Sequence, residues 1–286
     1  MQGISSILVV LESAEQHDLA LLRGQLIAQW CEAHLHLLIC DRTQDHSSLL
    51  TELKLSLLEQ GFSASAEQAW NGSLHETIVG VQQAEGCSLV IKRHRAEQSL
   101  KNALLTPVDW KLLRECPSAV LMVKTERPWQ GANILAAVDV DNTDEEHQHL
   151  HNGIINHGHG FASLAKGALH VISAHPAPML SSPDLHTPRA ESLEARYRQA
   201  CQTFQERYGV DDQHLHVEQG PAADLIPYMA HKLEAAVTVI GTVARRGLSG
   251  ALIGNTAEAV LDSLESDVLV LKTQEIIDHL IDLARR

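Results

Sequence analysis

Aromatic residues, cysteines and long hydrophobic runs are all scarce in this sequence, and each scarcity excludes a class of protein. Phe, Trp and Tyr make up 3% of the 286 residues, so the cores must be built from Leu, Ile, Val and Ala, which suits an α/β protein with buried parallel strands. The five cysteines are odd in number and never spaced as Cys-x-x-Cys, which argues against a disulfide framework or a cysteine-rich zinc site. No apolar run approaches the roughly 18 residues of a transmembrane helix, and the first residues lack the basic start of a signal peptide. We therefore expect a cytoplasmic protein.

Positive charge is also scarce. The chain has 22 Lys and Arg against 36 Asp and Glu, which gives a formal net charge of −14 at pH 7. Binding to the phosphates of nucleic acid or to an anionic membrane surface requires a basic face. The sequence therefore predicts neither a nucleic-acid partner nor a membrane partner.

The same series of buried strands and helical segments occurs twice in the chain. Residues 7–12 form an apolar run that ends in an acid, and so do residues 134–139. Residues 120–124 and residues 268–272 both form an apolar run that ends in lysine. Five strand-like runs interleaved with helical patterns, given twice, predict two copies of one α/β domain, each with a parallel sheet and right-handed crossovers.

Residues 124–131 interrupt this repeat. They include charged residues, a proline and a glycine, which is typical of a linker. The chain is long enough for two ordinary domains. The sequence thus predicts one domain over residues 1–127 and a second over residues 132–286.

The second half contains a strand, a glycine loop and a helix start in succession. The β-branched run 237–240 is followed by Gly241, and Gly254 precedes an amphipathic segment. Glycines let the backbone approach an anion closely, and the first turn of a helix offers unpaired N–H groups and a positive dipole end. This arrangement is typical of a phosphate-binding loop, although glycines that serve only the turns would give the same pattern.

This stretch resembles the nucleotide loop of the universal stress protein family, which reads Gly-x2-Gly-x9-Gly-Ser/Thr before a helix and a last apolar strand. Gly241 and Gly254 match the first and third glycines of that motif. Ala244 stands at the second glycine, and Asn255 follows the third, with Thr256 one place on. Asn255 and Thr256 can donate hydrogen bonds to phosphate oxygens, but Ala244 would obstruct a backbone that needs positive φ.

With its two repeats, nearly the whole chain resembles a tandem universal stress protein of the E type. Segments 105–124 and 241–258 carry this resemblance most clearly. It implies a doubly wound five-stranded sheet in each domain, with strand order 3-2-1-4-5 and a ligand at the switch point between strands one and four. It also implies that the domains pair through their last strands as an intramolecular pseudo-dimer, which leaves further dimerisation open.

The resemblance assigns ligand contacts to the second half. Asp139 corresponds to the acid that contacts ribose or metal, and Val171 to a backbone contact with adenine. Arg245 or Arg246 could add positive charge near the phosphates. The residues predicted to form the site are Asp139, Val171, Gly241, Ala244, Gly254, Asn255 and Thr256. The implied ligand is ATP or a related adenine nucleotide with Mg²⁺, although Asp139 taken alone is more typical of a capping or turn acid before the helix.

The first half departs further from the motif. Thr106 and Pro107 stand in place of the third glycine and its neighbour, and proline lacks the N–H that a phosphate would need. Lys92, Arg93 and Arg95 could attract an anion, but a solvated basic loop is the favoured interpretation. We expect no ATP in the first half, where a degenerate site is either purely structural or open to a less polar molecule. Glu12 stands there in place of the acid of the second half.

Histidine spacing offers an alternative chemistry. His147 and His151 are four residues apart and could share a helix face for zinc or nickel, while His34 and His36 share a strand face. No His-Glu-x-x-His pattern accompanies them, so surface or buried histidines are favoured and no metal-binding residue is assigned. No Gly-x-Ser-x-Gly elbow is present, and no catalytic residue is predicted.

These observations predict a non-catalytic, nucleotide-responsive stress protein, a role that weak ATPase activity would not contradict. Two alternatives stay open at this point. The first is a nucleotide-independent scaffold or interaction protein in which Ala244 has abolished the site. The second is a carrier of a nucleotide-linked or apolar small molecule. Fold alone does not choose among them, and the sequence identifies no protein partner.

Overall fold

A computed structural model describes residues 3–11, 18–94, 107–175, 190–242 and 255–284. The strands are β1 Ser6–Leu11, β2 His34–Cys40, β3 Ala64–Ala69, β4 Leu89–Arg93, β5 Ala119–Val123, β6 Ile134–Ala137, β7 Leu169–His175, β8 Leu215–Gln219, β9 Val237–Thr242 and β10 Asp267–Lys272. The helices are α1 Leu19–Cys31, α2 Ser47–Glu59, α3 Leu74–Ala84, α4 Pro107–Glu115, α5 Glu145–Ala165, α6 Ala190–Tyr208, α7 Ala222–Lys232, α8 Asn255–Ser263 and α9 Gln274–Ala284.

The two halves of the chain form one continuous sheet, with the order β3-β2-β1-β4-β5-β10-β9-β6-β7-β8. Neighbouring strands within each half are parallel. The last strands of the halves, β5 and β10, pair antiparallel, with Met122 opposite Val268 and Val120 opposite Val270. The predicted α/β class is confirmed. The strand order differs in detail, because the two five-stranded halves join through β5 and β10 into one ten-stranded sheet.

Helices cover both faces of this sheet because its strands direct apolar side chains to both sides. In β1, Ile7 and Val9 belong to one hydrophobic core, while Leu8 and Val10 belong to the other. The first core contains residues of α1, α2, α5 and α6, and the second contains residues of α3, α4, α7 and α8. Both cores therefore run continuously from one half of the chain into the other.

The buried carboxylate of Asp267 joins the two halves at the start of β10. One of its oxygens accepts hydrogen bonds from the backbone N–H groups of Lys124 and Thr125, at 2.8 and 3.0 Å. The other oxygen accepts from Trp129 Nε1 at 2.8 Å and from Arg23 Nε at 3.1 Å. The side chain of Asp267 is fully buried, so these donors replace the water that a carboxylate would otherwise require.

Arg23 extends this junction to the predicted linker. Its guanidinium donates to the carbonyl oxygens of Thr125 and Arg127 at 3.3 and 2.5 Å. It also lies over the ring of Trp129, 4.5 Å from the ring centroid, and that ring makes an edge contact with Phe161 at 5.2 Å. The linker segment is therefore fixed between α1, α5 and β10 by specific contacts, even though it contains no helix or strand.

A lysine ends β10 and another directly follows β5. Lys124 Nζ crosses to the other half and donates to the carbonyl oxygens of Leu261 and Leu264, at the end of α8, at 2.9 and 2.5 Å. Lys272 is 8% exposed and lies near Cys116, and its Nζ has no hydrogen-bond partner among the residues that the structure describes. Burial lowers the pKa of each lysine to about 8.

Replacement of Asp267 by asparagine should destabilise the whole chain. The change leaves the Arg23 charge buried without its counter-charge, which typically costs about 3–5 kcal/mol. Urea unfolding at neutral pH measures the loss, and Glu59→Gln, an exposed acid on α2, is the control. Equal unfolding free energies for the two variants would show that the junction is not held by this carboxylate.

Replacement of Lys272 by methionine should instead stabilise the chain near neutral pH, by about 1–3 kcal/mol, since it removes a buried charge that lacks a hydrogen-bond partner. The pKa of Lys272 is about 8 in the folded chain and 10.5 in the reference state. The folded state therefore favours the neutral amine, and the penalty carried by the wild type falls as pH rises from about 8 to about 10.5. Thermal unfolding across this range should show the advantage of the variant shrinking with pH.

Lys124→Met provides the matched control at the corresponding end of β5. Its Nζ makes two hydrogen bonds to α8 carbonyls, so its loss should destabilise the chain by about 1–2 kcal/mol. A destabilised Lys272→Met variant would contradict the assignment of an uncompensated buried charge to Lys272.

Candidate functional site

Neighbouring strands β6 and β9 end together at the switch point of the second half. They are parallel, with Ile134 opposite Val237 and Ala136 opposite Val239. Strand β6 also pairs with β7 on its other side, so the connections leave β6 and β9 in opposite directions. Asp139 follows the end of β6 and Gly241 lies near the end of β9, so both predicted residues are at the same edge of the sheet. Ligands of doubly wound folds bind at such an edge.

Asp139 lies in a turn between β6 and α5. Its carboxylate accepts a hydrogen bond from the N–H of Asp141 at 3.3 Å, and its carbonyl accepts from Asn142 N at 3.1 Å. The residue as a whole is exposed to solvent. Partial burial of its carboxylate nevertheless raises the pKa of Asp139, and the hydrogen bond from the Asp141 N–H opposes that rise. The cap of α5 is Asp144, which accepts from His147 N at 2.9 Å. Asp139 is therefore a turn acid and does not cap the helix.

Three residues near Asp139 were missed by sequence reasoning. Arg196 of α6 donates from its guanidinium to the Asp141 carboxylate. The hydrogen bond to Asp141 raises the pKa of Arg196. Tyr197, next to it on α6, is buried and contacts the His175 ring with centroids 4.9 Å apart. No local motif marks these residues, since contacts between segments 55 residues apart create the group.

Val171 lies within β7, before the carboxyl end of that strand. Its side chain is fully buried, and its N–H donates to the carbonyl of His214, directly before β8, at 2.8 Å. Ser173 is two residues closer to the edge, and its hydroxyl accepts a hydrogen bond from Val140 N at 3.2 Å. The role of Val171 as an adenine contact stays a prediction.

Gly241 has a packing role of its own. A Cβ built on this residue would lie 2.5 Å from Leu150 Cδ2 and 3.0 Å from Ile154 Cδ1, both on α5. Glycine at this position therefore lets α5 pack directly on β9, whether or not a phosphate is present. Its part in anion binding stays a prediction.

The rest of the predicted loop is described only at its end. Ala244, Gly254, Arg245 and Arg246 lie outside the described residues. Asn255 and Thr256 form the first turn of α8, the helix that the sequence predicts to follow the loop. That helix is fixed on the sheet by buried apolar side chains, namely Val260 and Leu261, followed by Leu264.

A buried ionic cluster lies at the corresponding place in the first half. Lys92 Nζ is 3.0 Å from one carboxylate oxygen of Asp109, and His94 Nδ1 is 2.9 Å from the other. All three residues are buried, and Asp109 is in the first turn of α4. A carboxylate is favourable at a helix N-terminus, where a phosphate would otherwise bind. The strand register places Ile240 and Thr242 at the positions of Lys92 and His94 in the second half.

This cluster corrects the interpretation of Lys92 as part of a solvated basic loop. The Asp109 carboxylate supplies the counter-charge that makes burial of the lysine possible. Arg93 faces the other side of the strand and pairs with the exposed Glu126 at 3.2 Å. Glu12, Arg95 and Thr106 lie outside the described residues.

The histidines considered as metal ligands have other contacts. His147 Nδ1 is 2.8 Å from the Asp144 carboxylate, and the His151 ring lies 6.3 Å from that of His147. His34 and His36 are hydrogen bonded to serine hydroxyls of β3 or its approach. Within the described ranges no group of three His, Cys, Asp or Glu side chains is arranged to hold a metal ion.

Comparison with known proteins gives the family. The sequence model described as the Universal stress protein family matches residues 3–124 and again residues 132–272. The chain belongs to the universal stress protein family. It is a stress-response protein of tandem, E-type organisation, because the family model matches twice and its curated relatives are of that type.

Similar proteins support this assignment over both halves. Universal stress protein E of Salmonella typhi is 31% identical over 228 residues, which covers 76% of this chain and 71% of the relative. A crystal structure described as a universal stress protein of Pseudomonas aeruginosa has a TM-score of 0.92 and 59% identity, and covers 100% of this chain and 99% of its own. A universal stress protein of Archaeoglobus fulgidus shares the fold alone, with a TM-score of 0.65 at 14% identity, covering 94% of this chain and 99% of its own.

The helices described by the structure were also compared with the needs of a membrane span. None of them combines the length and the apolar character that a crossing requires.

Replacement of Gly241 by alanine should destabilise the chain by about 1–3 kcal/mol, because the new methyl group overpacks the contact with Leu150. Gly153→Ala, on the same helix α5, is the matched control. Its added Cβ would make an ordinary contact with Leu271 Cδ1 at 3.5 Å, and alanine favours a helix over glycine by about 1 kcal/mol. Chemical denaturation of both variants measures the difference, and a Gly241→Ala chain as stable as wild type would contradict the packing role.

Proposed function

We propose that the second half binds ATP or a related adenine nucleotide at the carboxyl ends of β6 and β9, and that binding regulates the protein without chemical turnover. One observation carries the proposal: Asp139 and Gly241 end adjacent parallel strands at the switch point, and the motif glycines lead to the start of α8. Separate positions of a family motif therefore converge on one edge, where this fold binds ligands.

Arg196 supports the proposal electrostatically. The chain has a net charge of −14, so an anionic ligand needs a local cation. Arg196 is such a cation. It is paired with Asp141, which belongs to the same turn as Asp139. A phosphate group could compete with Asp141 for the guanidinium, since arginine forms strong, charge-assisted hydrogen bonds to phosphate oxygens.

Asp139 and Asp141 also fit the preferences of Mg²⁺. Their carboxylates belong to one turn, and Mg²⁺ binds oxygen ligands, usually one or two carboxylates together with phosphate oxygens. Burial raises the pKa of Asp139, and a bound cation would favour its ionised form. A bound Mg²⁺ would supply charge neutralisation for the phosphates.

The Asp109 cluster supports one nucleotide per chain. In the first half, Lys92 and His94 already hold a carboxylate at the N-terminus of α4, so a phosphate there would have to displace a buried side chain. Only the second half carries the glycine motif, and there Ile240 and Thr242, at the positions of Lys92 and His94, have no charge with which to hold such a carboxylate.

A nucleotide-independent scaffold is the second candidate, and Gly241 favours it. The packing of α5 on β9 explains this glycine without any ligand. Ala244 at the second motif glycine is consistent with the same interpretation. In that case the continuous ten-stranded sheet, and not a bound nucleotide, would be the feature that partners recognise.

Calorimetric titration of the full chain with ATP and Mg²⁺ separates the two candidates. We expect one site per chain, and at least about a tenfold loss of affinity in Asp139→Asn, which corresponds to about 1.4 kcal/mol. Arg196→Gln should weaken binding in the same direction. Asp211→Asn, an exposed acid before β8, is the control and should bind as wild type does. Absence of heat at millimolar ATP, with all proteins folded by circular dichroism, would reject nucleotide binding and leave the scaffold.

A further inference from the structure

The histidines of the first half are matched with carboxylates. Four of them make such contacts, each involving a different acid. These contacts are His36 to Glu67 at 2.9 Å, His46 to Asp41 at 2.8 Å, His75 to Glu115 at 3.2 Å and His94 to Asp109 at 2.9 Å. A proton added to any of these rings therefore creates a positive charge beside a negative one. Among the histidines that the structure describes in this half, His34 is the exception and lies between the hydroxyls of Ser63 and Ser65.

The second half buries a histidine of a different kind on α5. The His151 ring is packed between His147, with centroids 6.3 Å apart, and Phe204 of α6, at 6.2 Å. Arg207 of α6 is a charged group that lowers the pKa of His151, and Asp144, at the start of α5, opposes that change. The Asp144 carboxylate is hydrogen bonded to the ring of His147 and not to that of His151.

A second histidine group lies on strands β7 and β8. His170 Nδ1 is 3.0 Å from His216 Nε2, and the two rings are stacked with centroids 5.3 Å apart. The ring of His214 is 4.9 Å from that of His170. Lys232 of α7 and Glu218 of β8 are the charged groups that act on His216. A proton shared by His170 and His216 can be accommodated, but a second one places like charges in contact.

These surroundings change how the two halves respond to acid. Burial, followed by the neighbouring histidines, lowers the pKa of His151 and of His170 to about 4. Burial, followed by the charge of Lys232, also lowers the pKa of His216. A histidine whose pKa is lower in the folded chain than its ordinary 6.5 contributes stability that is complete above 6.5. That stability is lost as pH falls through the folded pKa. The contacts that lose stability are those of His151 between α5 and α6 and those of His170 and His216 between β7 and β8.

We propose that this protein senses acid through its second half: as the pH falls below neutrality, protonation of His151 and of the stacked His170–His216 pair loosens α6 and the outer strand β8, while the first half stays folded. The proposal does not require nucleotide binding, because neither histidine group includes a predicted nucleotide contact, but the helix that loosens also carries Arg196. Strand β8 is the terminal strand of the sheet, and α6 packs on His151 of α5 and on His175 at the end of β7. Both can therefore loosen without disrupting the β5–β10 junction.

The chain contains optical reporters that distinguish α6 from the first half and the junction. All four tryptophans precede residue 130, at Trp30, Trp70, Trp110 and Trp129. All three tyrosines are in the second half, at Tyr197, Tyr208 and Tyr228, and the first two are on α6. An acid titration of the full chain can follow tryptophan emission and tyrosine second-derivative absorbance in one sample.

We expect the tyrosine transition to come at a higher pH than the tryptophan transition. Hydrogen exchange, corrected for its intrinsic pH dependence, should show lost protection in α6 and β8 before β2 and β3. Coincident tyrosine and tryptophan transitions, with protection lost from both halves together, would overturn the proposal.

Variants identify the responsible groups. His151→Leu keeps an apolar side chain against Phe204 and removes the titrating ring, so it should lower the midpoint of the tyrosine transition by about half a pH unit. His36→Gln, which removes a carboxylate-paired ring of the first half, is the control and should leave that midpoint unchanged. His216→Gln gives a second test on β8 in case His151→Leu folds poorly. Midpoints of both second-half variants equal to wild type would rule out these histidines as the sensor.

Discussion

The structure depends on one buried carboxylate placed where the two halves meet. Asp267 begins the last strand, yet its hydrogen bonds go to the linker and to α1 of the other half. A buried charge is tolerated only when donors surround it, so the positions of Arg23, Trp129 and the chain after Lys124 are determined together. The antiparallel pairing of β5 and β10 then turns what would be two exposed sheet edges into the middle of a larger sheet.

The two halves have kept the same scaffold and diverged in polar chemistry. At the end of the fourth strand, the first half buries Lys92 and His94 around Asp109, while the second half has Ile240 and Thr242. The first half provides its own anion at the N-terminus of α4, and the second half leaves that role to a ligand in our proposal. Some of their histidines diverge as well: His36 contacts a carboxylate in the first half, while His151 and His170 pack against other rings in the second.

The fold could be predicted from the sequence because it follows from the pattern of apolar residues along the chain. Runs such as 237–240 and 268–271 are apolar on both faces, which predicts buried parallel strands, and their repetition predicts two equivalent halves. The edge at which Asp139 and Gly241 meet follows from the same reasoning. The contacts of Arg196 could not be predicted, since they join segments far apart in the chain without a motif. Burial of Lys92 was likewise invisible, because a lysine is placed inside only by a partner such as Asp109, 17 residues away.

The antiparallel junction has a geometric consequence for how such a molecule can communicate. Strands of the first half run opposite to those of the second, so their carboxyl ends lie on opposite margins of the ten-stranded sheet. The ionic cluster at Asp109 and the turn at Asp139 therefore lie at opposite margins of the sheet, so one small molecule would not contact both. The β5–β10 junction is the part of the sheet that the two margins share.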